Sequence, residues 1–169
     1  MPANWEFKRK FVMTYIPDGL LTTRKPTSVR KGYIAHSDEK QVILCDKNGQ
    51  YTLSVCQGSG HRVQHSAISL SQEQFDGLWP QTQNYRTSLI RYEVPYFGAM
   101  LTIDEYGGHL APLKLVTARF TDEVSCRQFL PPDFAQTEVT YEKEFSTEAL
   151  ARLGLPDVSA IIGQASMYS

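Results

Sequence analysis

Two of the three cysteines, Cys45 and Cys56, and two of the four histidines, His61 and His65, lie within a stretch of about twenty residues, a density that invites a redox or metal reading. Spacing argues against both. Gln41–Cys45 and Tyr51–Cys56 flank Asn48-Gly49, a pair that tolerates positive φ at both positions and so predicts a type I′ hairpin turn. Pairing about that turn sets Cys45 opposite Thr52 and Cys56 opposite Gln41. The two thiols face the same way but lie roughly 13 Å apart along the ladder, too far for a disulfide. A zinc site with His61 and His65 fares no better, because His65 alternates away from the expected inward positions Arg62 and Gln64. Neither thiol has a visible partner base. Gly58-Ser59-Gly60 leads into a strand and not a helix, so it reads as a hairpin connection and not a phosphate cradle. The basic stretch from Arg24 to Lys31 reads as a solvated loop running into a strand, the alternative being a rim that steers anions.

The elements that position these residues are mostly strands. Period-two alternation or β-branched enrichment predicts them at Trp5–Met13, 62–68, 87–94, 100–106 and 113–120, beside the hairpin of residues 40–56. Helices are predicted over 71–78, with Ser71 and Gln74 forming a capping box, over 123–129, and over 146–153 before Gly154 and Pro156. One face of the hairpin holds Val42, Leu44, Leu53 and Val55, and the other holds Ile43, Cys45, Ser54 and Cys56. Both faces are free of charge. Strands protected on two sides look outward to helices and inward to an enclosed space, which makes a closed barrel the economical architecture.

A chain of 169 residues with no repeat or linker reads as one domain. Its 17 basic and 18 acidic residues give no bulk drive toward nucleic acid or anionic membrane, so any electrostatic function is local. No apolar run has the length of a membrane helix, and the charged, aromatic N-terminus is unlike a signal peptide. An odd cysteine count without framework spacing fits a reducing compartment, and the expected location is the cytoplasm.

From about Trp5 to Ala151 the sequence resembles the CYTH, or triphosphate tunnel metalloenzyme, family. Glu6-Phe7-Lys8-Arg9-Lys10-Phe11 is similar to the family's Glu-Ile-Glu-Arg-Lys-Phe opening, and Lys31-Gly32-Tyr33-Ile34 to its Gln-Gly-Tyr-Leu segment. Arg62, Arg91-Tyr92, Asp104 and Glu138-Val139-Thr140 follow in the family's order. The resemblance implies a mainly β (α+β) fold: an antiparallel eight-stranded tunnel-like barrel with accessory helices over residues 1–155, then a tail over 156–169. It also implies a tunnel for phosphorylated ligands, with a divalent metal, magnesium or manganese, in active members.

The departures from the family pattern shape the functional expectation. Lys8 stands where a second carboxylate belongs, and Ile43, Cys45 and Cys56 replace phosphate-binding cations. Gln64 and Ser66, Leu89, Thr102, Thr117 and Arg119 interrupt further charged pairs. The expected ligand-binding residues are Lys8, Lys10, Arg62, Arg91 and Arg119, with Glu6 and Asp104 as the residual metal candidates and no catalytic residue assigned. The function expected is binding of a phosphorylated or other anionic small molecule without efficient metal-dependent triphosphatase activity. The alternatives are a weak metal-dependent triphosphate hydrolase, an enzyme for a different organic substrate, or a packed barrel that binds a protein.

Overall fold

The computed structural model describes residues 5–37 and 39–157. The described residues form nine strands: β1 Trp5–Met13, β2 Thr27–His36, β3 Lys40–Lys47, β4 Gln50–Ser59, β5 Arg62–Leu70, β6 Arg86–Tyr96, β7 Ala99–Tyr106, β8 Lys114–Phe120 and β9 Thr137–Glu138. They hydrogen-bond in the order β5-β4-β3-β2-β6-β7-β8-β1-β9, and β5 also pairs with β1. The first eight strands thus close into an antiparallel barrel. The two-residue β9 pairs with Phe11 and Val12, beyond the point where β5 leaves β1 at Phe7.

Local chemistry explains the sharpest features. Asn48 and Gly49 have φ of 51° and 85°, and the Asp46 carboxylate accepts the Gly49 N–H, fixing the turn that sets Cys45 against Thr52 and Cys56 against Gln41. Helix α1, Gln72–Leu78, starts at Ser71, whose hydroxyl accepts the Gln74 N–H while the Gln74 side chain accepts the Ser71 N–H. Its Phe75 stacks between Tyr51 and Trp79, and Arg30 lies over both Phe75 and Trp79 while pairing with Asp46. Gly32 admits the 3-10 turn at Trp79–Thr82, since a Cβ there would sit 2.5 Å from the Thr82 side chain.

Two apolar clusters hold the barrel. Phe11, Met13, Leu101, Ile103, Val116 and Ala118 form its outer face under helix α2, Glu123–Gln128, together with Cys126 and Phe134 from the segment that follows β8. Val12, Leu89, Tyr106 and Leu115 point inward, where Leu110, Val139, Phe145 and Leu150 meet them. Phe145 and Leu150 arrive from a 3-10 turn and helix α3, Thr147–Leu153, so one end of the barrel is stoppered. Truncating such a side chain, as in Phe145→Ala, removes about 3–5 kcal/mol. The opposite rim is solvated, with Glu93, Met100 and His65 exposed.

Strand β2 begins at Thr27, inside the stretch read as a loop, because Thr27 and Val29 pair with Arg91 and Leu89 far along the chain. The expected tail over 156–169 lies outside the described residues from position 158 onward. No described helix is long and apolar enough to cross a membrane.

Candidate functional site

Directly opposed residues in a sheet share a face, so strand register alone identifies the side chains that line the tunnel. Lys8 opposes Arg119, Lys10 opposes Thr117, Arg91 opposes Asp104, and Lys31 opposes both Cys45 and Thr87. Charged groups therefore come from β1, β2, β6, β7 and β8. The wall made by β3 and β4 offers Ile43, Cys45, Ser54 and Cys56, with Lys47 only at the end of β3.

Two tunnel carboxylates, Glu6 and Asp104, are already paired, and a third, Glu93, opposes Thr102 at the solvated mouth. Arg91 holds Asp104 in a two-pronged contact, Nε to Oδ1 at 2.8 Å and Nη2 to Oδ2 at 3.0 Å, and the two side chains are only 12% and 8% exposed. Arg119 donates from Nη1 to Glu6 Oε1 at 2.6 Å and from Nε to Thr102 Oγ1 at 3.2 Å. His65 Nε2 lies 3.6 Å from the other Glu6 oxygen, too long for a good hydrogen bond, so Arg119 is the firmer partner. His65 and Arg119 together pull the Glu6 carboxyl down to about 2 against the opposing effect of burial.

That depression has a signed consequence for stability. Glu6 takes up a proton in the unfolded chain near its ordinary 4.5 but resists it in the folded one, so its contribution is complete above pH 4.5 and is lost as pH falls toward 2. Thermal unfolding of wild type and Glu6→Gln is expected to show a difference in Tm that shrinks across this window. A constant difference from pH 5 to pH 2 would show that the contacts do not favour the ionised carboxylate.

The lysines differ from the arginines. Lys10, at the stoppered end, donates from Nζ to the Phe145 carbonyl at 3.0 Å. The ammonium groups of Lys8 and Lys31 make no hydrogen bond or ion pair with a described residue. Burial holds both below the ordinary lysine value, Arg119 adding to the effect on Lys8 and Arg91 to that on Lys31, which is brought to about 8. Beside Lys31 the Thr87 hydroxyl is buried with no hydrogen-bond partner among the described residues. Tyr33, in contrast, is hydrogen-bonded to Thr147, and burial raises its phenol.

Register places Lys8, Lys10, Arg91, Arg119, Glu6 and Asp104 inside the barrel, but not Arg62. Arg62 pairs with Phe7 on the outer face, and its guanidinium lies over the Trp5 ring at 3.8 Å from the centroid. The connection between β4 and β5 sets Ser59 opposite Arg62 and Cys56 opposite His65, so His65 faces the tunnel and Gln64 and Ser66 face away. The expectation was one residue out of register, and a slip of one residue inverts every side chain of a strand. Sequence reasoning also left Lys31 out of the site. Its signal was the alternation Val29, Lys31, Tyr33, hidden by reading the preceding residues as loop.

A divalent metal fits this tunnel poorly. Magnesium takes hard oxygen donors, usually one or two carboxylates with water and phosphate, whereas Glu6 and Asp104 each face an arginine. No group of three His, Cys, Asp or Glu side chains able to hold a metal occurs among the described residues.

Comparison with known proteins gives a consistent result. No family model matches the chain. An inorganic triphosphatase of Nitrosomonas europaea is 32% identical over 154 residues, covering 89% of this chain and 99% of that protein. The crystal structure of an inorganic triphosphatase aligns with a TM-score of 0.67 at 30% identity over 87% of this chain and 94% of the other. A Hippeastrum protein of adenylyl cyclase type, with a dominant triphosphatase activity, shares the fold at a TM-score of 0.61 and 12% identity, over 90% and 96% of the two chains.

Proposed function

Because this chain belongs to the CYTH, or triphosphate tunnel, family, we propose that its barrel binds a phosphorylated or other anionic ligand and has no efficient metal-dependent triphosphatase activity. One observation carries this reading. Five inward cations, Lys8, Lys10, Lys31, Arg91 and Arg119, share the tunnel with three carboxylates, Glu6 and Asp104 engaged by arginines and Glu93 exposed at the mouth, and Lys8 and Lys31 make no ion pair among the described residues. A partly buried ammonium without a partner is unfavourable, and an anion supplies the missing charge and acceptors at once. The arginines retain guanidinium N–H groups not used by Glu6 or Asp104, in a planar fork suited to phosphate. An odd cysteine count without framework spacing supports the reducing cytoplasmic setting we infer.

Tripolyphosphate in the presence of EDTA tests the proposal. At a hundredfold excess over Kd, binding to the folded state alone adds about 2.7 kcal/mol, which for a domain of this size moves Tm by several degrees. The shift is expected to fall with added salt, and to weaken as pH rises through about 8, where Lys31 loses its charge. Lys8→Met/Lys31→Met should lose most of it while being more stable than wild type without ligand. An equal shift in this variant would reveal only the general effect of excluded anions, leaving a packed barrel as the better account.

A further inference from the structure

Spacing in the sequence offers neither tunnel thiol a partner base, but strand pairing supplies one. The register that turns His65 inward also sets it directly opposite Cys56 on the same face. Opposed residues carry their β-carbons about 5 Å apart, which makes thiol and imidazole neighbours. His65 in turn lies against Glu6, its Nε2 3.6 Å from the carboxylate, while its Nδ1 is bonded to no described residue. Carboxylate, imidazole and thiol thus follow one another as the orienting group, base and nucleophile of an activated side chain do. A cation stands beside them: the Lys8 ammonium is favoured by the charge of a Cys56 thiolate as well as by Glu6. The other two thiols lack this setting. Cys45 opposes Lys31 but packs on the apolar cluster at the stoppered end, and Cys126 is buried in the outer cluster. Cys56 is partly accessible, and the His65 side chain beside it is 53% exposed at the solvated rim.

We propose that Cys56 is a site of reversible thiol–disulfide exchange with a small disulfide that carries carboxylates. Its proton passes to His65, and the thiolate sulfur attacks one sulfur of the incoming disulfide. One S–S bond forms as the other breaks, and the electron pair of the broken bond leaves with the second sulfur, which recovers the proton from the imidazolium. Thiol and disulfide become mixed disulfide and thiol, so the incoming disulfide is the only oxidant required. Lys8 and Arg119, opposed to each other on β1 and β8, favour a negatively charged partner over a positively charged one. Excess thiol reverses the exchange, and thiol redox state thereby controls what occupies the tunnel mouth. The exchange does not rest on the anion-binding reading; only its effect on tripolyphosphate does.

Incubation of the intact protein with oxidised glutathione, followed by peptide mass mapping over time, tests this. One glutathione is expected at Cys56, added at least about tenfold faster than at Cys45 or Cys126, and removed by dithiothreitol. Cystamine, a cationic disulfide, should react more slowly at Cys56 once each rate is divided by that reagent's rate with free cysteine. His65→Gln, a change at an exposed side chain, should slow exchange at Cys56 severalfold and leave the rate at Cys45 unaltered, which separates loss of the base from loosening of the barrel. Equal rates at Cys45 and Cys56, a preference for cystamine, or a His65→Gln protein that exchanges as fast as wild type would overturn the proposal. The capped protein then bears on the anion-binding reading separately. Its tripolyphosphate-induced rise in Tm should vanish and return with dithiothreitol. A rise unchanged by capping, or absent from the uncapped protein, would overturn binding in the tunnel and leave the exchange at Cys56 standing.

Discussion

Tripolyphosphate mixed with this protein and millimolar magnesium is expected to turn over at less than about 0.01 per second, roughly a thousandfold below an ordinary enzyme. The reason lies in the inward positions. Lys8, Thr117 and Arg119 face inward where the family resemblance implies carboxylates, and Glu6 and Asp104 are bound by arginines at 2.6 and 2.8 Å. A metal supplies several kcal/mol of transition-state charge stabilisation, and every 1.36 kcal/mol is about tenfold in rate. Phosphate release measured with magnesium, with manganese and with EDTA should give the same low value. Turnover near one per second that requires the metal and disappears in Glu6→Gln would show that the two carboxylates suffice.

Removing Asp104 is expected to be the most destabilising single change in the tunnel. Its carboxylate is the sole ion-pair partner of Arg91 among the described residues, in a cavity that also holds Lys8 and Lys31, and both partners are almost wholly buried. Leaving a buried charge uncompensated removes about 3–5 kcal/mol, so Asp104→Ala should lower Tm by about 10 °C. The same reasoning predicts recovery. Arg91→Met placed on Asp104→Ala eliminates the stranded cation, and an ion pair replaced by apolar groups of similar size is often neutral for stability. Tripolyphosphate, by substituting for the lost carboxylate, should stabilise Asp104→Ala by more degrees than it does wild type. A loss below about 1 kcal/mol in denaturant unfolding would indicate that water reaches Arg91 well enough to replace its partner.

Inside the barrel, Lys8 and Lys31 have no ion-pair or hydrogen-bond partner among the described residues and are held below their ordinary pKa, an arrangement that opposes folding and favours an anion. On the outer surface, in contrast, Arg9 spans Glu138 in a two-pronged contact and donates to the Phe129 carbonyl. The unpaired ammonium groups of the tunnel are the physical ground for the proposal that an anion binds there.

Local chemistry made much of this protein readable from its residues. The Asn48-Gly49 turn determined the hairpin and with it the pairing of Cys45 with Thr52, because both central residues accept positive φ. The Ser71/Gln74 capping box and the Ser146 cap determined where α1 and α3 begin, since each satisfies helix N–H groups within three residues. Alternation divided Ile43, Cys45, Ser54 and Cys56 from Val42, Leu44, Leu53 and Val55, and the ordered landmarks from Glu6 to Thr140 carried the family resemblance. What tertiary structure alone decided was contact across long separations. The turn at Gly60-His61 set β5 one residue from the expected register, turning Arg62 outward onto Trp5 and His65 inward toward Glu6. Pairing of β2 with β6 brought Lys31 beside Thr87, and closure of β8 on β1 and β7 brought Arg119 to Glu6 and Thr102. Alternation tells which residues share a face, but only the closing of the sheet determines which face encloses the cavity and which partners meet there.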